Sequence, residues 1–523
     1  MTQPAADVPE WDTELDELER RRAWAKEHGG PGAIARQRAA GRGLARERID
    51  QLADEGSFRE IGSLTGVAEY DTANRVLGVV PANPIIGRAH IGGRPVALLA
   101  DDFTLRGGSA DSTIVEKWAF IERHALAYRT PLVRLVDAAG GSVKTIERHG
   151  ATVIPGYEWP VAEQMTTIPV VGVALGPCAG FAAVKVAMSH FSVMVKGTSQ
   201  VFAAGPAVVA AGLGDTVTKE QLGGSAVHAR GSGVVDNEAS TERDAVDQAR
   251  RFLSYLPSNV FELPPVAVNH DNPRRADEAL ASVVPRNSRK PYPMRSIVAS
   301  VVDAGSQLEL GRSHGRSQIT MLARVDGRTV GVTASDPMHY GGALTASSAE
   351  KLTRFVDLCD TFHIPVVTFQ DCPGMMIGRT AEAEGTIRKV LRARMAIAQS
   401  TVPWCTFFVR RAFGVGGALC GPLGRASVRY AWPSARWGSL PLEGGVEVAY
   451  RREIAEAVDP QALLHSLTRS YAELASPFRT GERFGIEEIV DPRQTRTVMC
   501  EWVADAYRLL PETLGQKAKG YRP

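Results

Sequence analysis

An α/β fold made of two tandem copies of one unit, each with a largely parallel sheet, is what this sequence predicts. Three observations carry the expectation. Residues 90–137 and 324–371 align without a gap, their matched pairs all 234 positions apart. Each copy runs apolar strand, Gly-Gly turn, amphipathic helix, buried strand, the order of a right-handed βαβ crossover. A glycine-bearing turn from a core strand into a helix also recurs at the same place in both copies.

The elements follow in chain order. The opening stretch 1–19 is acidic and polar, without the character of a secretory leader. The runs "ELERRRAWAKE" and "RAAGRGLARER" mix charge signs or carry apolar residues at helical spacing, and read as solvated helix faces. A net charge of only +2 gives no basic face for nucleic acid, and no apolar run is long enough to span a membrane. In the duplicated segment, Gly93-Arg94 matches Gly327-Arg328 and the doublet Gly107-Gly108 matches Gly341-Gly342. Glu116-Lys117 and Glu350-Lys351 lie in the helix, Pro131 and Pro365 precede the second strand, and Asp137 and Asp371 end it. A third strand, "IPVVGVA" (168–174), stops at Gly176-Pro177 and passes small residues to Gly180. The same offset sets Pro169 on Pro403, Gly180 on Gly414 and Phe181 on Val415. The proline-rich stretch 256–273 reads as the linker, dividing the chain into domains 1–264 and 265–523.

Small residues where a strand turns into a helix let main-chain N–H groups approach a ligand closely. Two such groups make an oxyanion hole, and two equivalent turns suggest two matching anion sites. A phosphate loop is not the reading, because no G-x-x-x-x-G-K-[ST] is present. "GVGGAL" (414–419) looks like a dinucleotide loop, but its partner "GFAAVK" lacks the pattern. The six cysteines stand singly, with no C-x-x-C, so they read as buried hydrophobes in a reduced, cytoplasmic protein. No Ser-His-Asp or metal-ligand constellation stands out; His228, in "GGSAVHARGSG", reads as a loop residue or local hydrogen-bond partner.

The motifs "GRGLARERIDQLADEGSFREIG" (41–62), "DDFTLRGGS" (101–109), "LGPCAGF" (175–181), "TKEQLGGSAVHARGSGVVD" (218–236), "VVPRNSRKPYPM" (283–294), "YAWPSAR" (430–436) and "IEEIVDPRQTR" (486–496) span nearly the whole chain. Together they resemble the carboxyltransferase (β) subunit of biotin-dependent acyl-CoA carboxylases, a duplicated crotonase-like fold. The resemblance implies transfer of a carboxyl group from carboxybiotin, carried on a separate subunit, to the enolate of an acyl-CoA. It places the thioester enolate against amides of Gly180 and Phe181, and the biotin ureido oxygen against amides around Gly414, Val415 and Gly416. Arg106, Gly107, Gly108, Gly140, Gly141, Ala179, Gly374, Gly417 and Glu443 would line the substrate sites, with Arg106 a partner for a CoA phosphate and Glu443 a catalytic or helix-start residue. It further implies a homo-oligomer, a hexamer built as a trimer of dimers, and a biotin carboxylase or biotin carboxyl carrier partner. The chain has no Met-Lys pair to serve as a biotinylation site.

Four loops depart from the family's pattern. Phe181 replaces a glycine, which would set a ring beside the acyl pocket, and "DAAGGSV" (137–143) is one residue longer. "FGVGGALCGPLG" is nearer the methylcrotonyl type in length, and Leu440-Pro441 replaces a Met-Gly. These departures keep open a biotin-independent decarboxylase or acyltransferase acting on a CoA or carrier thioester, and a scaffold that has lost activity.

Overall fold

The computed structural model describes residues 10–152, 159–422 and 425–523. The chain divides into two compact units, one reaching to His228 and including Glu238–Arg250, the other comprising Ala229–Asn237 and Arg251–Pro523. Residues 251–264, read from the sequence as part of the N-terminal domain, thus cluster with the second unit.

Each unit is built on an eight-stranded sheet, and the two sheets share one strand order. In the first, Pro84–Ile91 and Arg94–Asp101 form an antiparallel hairpin; Leu132–Ala138 and Val170–Ala179 then add in parallel. In the second, Gln318–Val325, Arg328–Ser335, Val366–Cys372 and Trp404–Phe413 do the same. All four pairs of strands begin and end 234 residues apart. Even the irregularity is shared: register shifts between Val136 and Ala138, and between Gln370 and Cys372. The central strands are buried along their whole length, which is why they read as continuous apolar runs rather than alternating ones. Crossover helices Val115–Ala127 and Ala346–Thr361 cover them; the second starts with Thr345 as N-cap, its side chain accepting from the Ser348 N–H.

Past the glycine turn the offset grows by two, since Phe191–Val195 and Gln200–Phe202 answer to Ser427–Ala431 and Arg436–Gly438. Helix Pro206–Leu213 answers to Leu442–Ala449 at that same offset, and the second unit then inserts helices Arg451–Glu456 and Pro460–Leu474 before Pro477–Gly481, the counterpart of Lys219–Gly223. The duplication also begins earlier than the sequence comparison suggested, at a different offset of 249. Arg46 pairs with Glu60 at 2.7 Å, and Arg295 with Glu309 at 2.6 Å. Asp54 accepts from the N–H groups of Gly92 and Gly93, and Asp303 from those of Asp326 and Gly327. The offset changes because the first unit alone carries the hairpin Gly66–Tyr70/Val76–Pro81 between these segments.

Candidate functional site

In the first unit, Val170–Ala179 runs into Gly180 at φ +57° and ψ −120°, and the helix Phe181–Ala187 starts there. In the second, Trp404–Phe413 runs into Gly414 at φ +56°, at the head of the short helix Gly414–Gly417. Positive φ is what demands glycine at both positions, since an L side chain is strained there. Crowding is not the reason: a Cβ would come no closer than 3.7 Å to the Ala203 carbonyl, or 3.4 Å to that of Ser439. Gly416 and Gly417 are glycine for the opposite reason. A Cβ on Gly416 would lie 2.8 Å from the Gly374 carbonyl carbon, and one on Gly417 would lie 2.3 Å from that of Ala412.

The neighbouring loops close around each turn. The Ala139 N–H donates to the Gly107 carbonyl at 2.8 Å, and the backbone of Gly140 lies so close to Ala179 that a Cβ would sit 2.3 Å from its carbonyl oxygen. Gly108, at φ +63°, packs on the Asp137 carbonyl in the same way, at 2.7 Å. The first unit therefore gathers Gly107, Gly108, Gly140, Ala179, Gly180 and Phe181, while Gly141 faces open space. In the second unit Gly374 contacts Gly416, and the Leu344 N–H donates to the Gly374 carbonyl at 3.0 Å, as the Ala110 N–H does to Gly140 at 2.8 Å.

The structure gives three of these residues definite neighbours. The Gly180 N–H donates to the Phe202 carbonyl at 3.1 Å, continuing the ladder between the strands Val170–Ala179 and Gln200–Phe202. That amide is engaged in the sheet, so the donors a ligand would meet belong to the helix's first turn, where N–H groups have no intrahelical acceptor. The Phe181 ring packs between Trp118 and Trp159, at centroid distances of 5.2 and 5.1 Å. Arg106 pairs with Asp111 at 3.2 Å, its side chain still largely exposed. Glu443 belongs to the helix Leu442–Ala449, but its side chain lies outside the described residues, as do positions 423–424 of the "FGVGGALCGPLG" loop.

Beneath each turn lies a buried aspartate whose structural part the sequence reading did not assign. Asp137 accepts from Gln37 Nε2 (3.0 Å), Arg42 Nη1 (2.9 Å) and Arg48 Nη1 (2.9 Å). Asp371 accepts from the Tyr292 hydroxyl (2.9 Å), Arg410 Nε (3.1 Å) and Arg411 Nε (2.7 Å). The signal was available, because Asp137 and Asp371 are one of the matched pairs. Lys185, one turn after Phe181, lies over the Phe181 and Trp118 rings, 3.9 Å from Asp101, whose pKa burial pushes up. Burial likewise pushes the Cys178 thiol up, and that of Cys372 to about 12, so neither is poised as a thiolate nucleophile. Among the described residues no His/Cys/Asp/Glu group could hold a metal ion, and no helix is long and apolar enough to cross a membrane.

What the site offers is therefore main-chain donors above a charge-balanced floor, twice over. Known proteins resemble this chain along nearly its whole length. The carboxyl transferase domain family matches residues 36–508. A propionyl-CoA carboxylase carboxyltransferase subunit of Haloferax mediterranei is 33% identical over 92% of this chain and 94% of its own length. A methylmalonyl-CoA decarboxylase subunit alpha of Veillonella parvula is also 33% identical, over 94% and 95%. The structure of transcarboxylase 12S, described as a hexamer assembly with hydrolysed methylmalonyl-coenzyme A bound, superposes with a TM-score of 0.85, 28% identity and 99% coverage of both chains. With the duplicated sheets and the match along most of its length, the chain belongs to the carboxyl transferase domain family and is a carboxyltransferase.

Proposed function

We propose that this chain transfers a carboxyl group from carboxybiotin to the enolate of a short acyl-CoA, one reactant at each glycine turn. One observation carries the reading: two turns with the same glycine φ, 234 residues apart, at the same point of two sheets with the same strand order. In the first unit, the amides opening the helix Phe181–Ala187 receive the thioester oxygen as it gains charge. Arg106, exposed beside Gly107, is the cation for a CoA phosphate, and Gly140 and Gly141 form the facing loop.

In the second unit, amides around Gly414, Val415 and Gly416 hold the ureido oxygen of biotin, with Gly374 and Gly417 as the close-packed walls. The donor set suits that group: main-chain N–H groups are neutral, and Asp371 is already bonded to two arginines, so an uncharged ureido carbonyl meets no uncompensated carboxylate. Biotin supplies the carboxyl group and the base. The chain's own residues bind, orient and neutralise developing charge. Biotin would arrive on a carrier subunit of a biotin carboxylase system, and several copies of this chain would assemble as a hexamer to complete the sites.

The test supplies the purified chain with free biotin and methylmalonyl-CoA and follows loss of the carboxyl group. Turnover that requires biotin supports the reading. Equal turnover without biotin, or none on propionyl-, methylcrotonyl- or malonyl-type thioesters, overturns it.

A further inference from the structure

The second unit holds a cavity of about 850 Å³. It lies under the inserted helix Pro460–Leu474, none of whose residues is buried, and Phe413, the residue before Gly414, forms part of its wall. Five arginines line it: Arg286, Arg410, Arg411, Arg436 and Arg493. Arg410 and Arg411 share Asp371, and Arg493 is held by Asp491 and Glu278. Among the described residues no carboxylate lies within 4 Å of Arg286 or Arg436. Arg436 Nη1 donates only to the main-chain carbonyls of Pro433 and Ala435, and burial alone lowers its pKa. Apolar residues, among them Trp432, Leu442 and Phe478, complete the lining. In the first unit the positions matching Arg410, Arg411 and Arg436 are Gly176, Pro177 and Gln200, without charge.

We propose that this cavity binds a small amphipathic anion, a carboxylate with an apolar body, and that its occupancy reaches the Gly414–Gly417 turn through Arg410, Arg411 and Asp371. Arg436, half-buried and without a carboxylate partner among the described residues, can form a charge-assisted bond to an organic acid where water competes less, and the exposed Arg286 adds a second positive charge on the lining. The volume suits a small ligand. The route to the turn is short. Arg411 bonds both Asp371 and the Gly341 carbonyl, Asp371 leads through Cys372 to Gly374, and Gly374 is packed on Gly416. An anion drawing Arg410 or Arg411 off Asp371 would loosen that stack. The coupling to turnover rests on the carboxyltransferase reading; the binding does not.

Calorimetric titration of octanoate into the full chain tests it. One saturable site per chain is expected, weakened at least tenfold in the double variant R286Q/R436Q and in Ala472→Phe, which narrows the cavity from the inserted helix. Octanol, which lacks the charge, and pyrophosphate, which lacks the apolar body, are expected to bind at least tenfold more weakly. Equal octanoate binding in wild type and both variants, no saturable binding, or octanol binding as well as octanoate would each overturn the site. Octanoate should also change biotin-dependent turnover at least twofold in wild type and not in R286Q/R436Q; unchanged turnover in wild type would overturn the coupling. Because binding is read without turnover, failure of the carboxyltransferase reading shows up as a separate result.

Discussion

The two halves hold the same buried aspartate by different means. In the first unit the arginines come from outside the sheet, Arg42 and Arg48 reaching in from the segment before and within the helix Ala45–Leu52. In the second they come from the neighbouring strand itself, as Arg410 and Arg411. The matched residues explain the exchange: Arg410 corresponds to Gly176, where a Cβ would lie 2.0 Å from Asp137 Oδ1. One unit leaves space above its aspartate and fills it from afar, and the other builds the charge into the strand. What the fold keeps is a neutralised carboxylate under the glycine turn, not the residues that neutralise it.

The sharpest break of this comparison comes from removing one arginine on each side. Arg48 also holds the half-buried Glu242, through Nε at 3.1 Å and Nη2 at 2.6 Å, so Arg48→Met breaks two ion pairs at once, leaving Asp137 with Arg42 and Gln37, and should cost about 3–5 kcal/mol. Arg410→Met leaves Asp371 with Arg411 and Tyr292 and should cost about 1–3 kcal/mol. Urea unfolding of both variants checks this, and equal losses would remove the asymmetry.

Next in size are the glycines. Gly416→Ala drives a Cβ into the Gly374 backbone and should lower biotin-dependent turnover at least 100-fold, about 3 kcal/mol of lost transition-state stabilisation. Gly180→Ala makes only an ordinary contact, 3.7 Å from the Ala203 carbonyl, and bears the φ strain, so about tenfold is expected. Steady-state rates in which Gly180→Ala is the worse variant would reverse the roles given to crowding and dihedral.

The matched lysines sharpen the comparison through pH. Burial lowers Lys351 from 10.5 to about 7 and Lys117 to about 8. Between those values and 10.5 the unfolded chain keeps a proton that the native lysine has given up, so stability rises with pH across that window. The slope is at most about 1.4 kcal/mol per pH unit for each lysine. Lys351→Met should remove a slope starting near pH 7, and Lys117→Met one starting near pH 8; denaturation series from pH 7 to 10 read both. The smallest effect belongs to Phe181→Ala, about 1 kcal/mol from the lost aromatic contacts with Trp118 and Trp159, measured as a shift in the thermal midpoint.

Much of this was legible in the residues. The constant spacing from Gly93/Gly327 to Phe181/Val415 gave the duplication, the parallel order and both turns, because strands paired in register tolerate no insertions. The earlier part of the repeat was hidden by the 66–81 hairpin, which changes the offset just where Arg46-Glu60 and Arg295-Glu309 would have revealed it. Hydrogen-bond partners were not legible: nothing in "PCAGF" says that the Gly180 N–H is taken by Phe202, or that the Phe181 ring packs between two tryptophans. Those facts depend on strands and helices brought together only by folding.

The crowding at Gly416 and Gly417 bears on how such a protein can change. Their first-unit counterparts are Ala182 and Ala183, which already carry a Cβ and are buried without displacing the main chain. The second turn is thus closed to mutation by its own backbone, whereas the first is open to it. On the proposed assignment of the two turns, diversification in this lineage should accumulate on the acyl side, while the biotin side stays as it is.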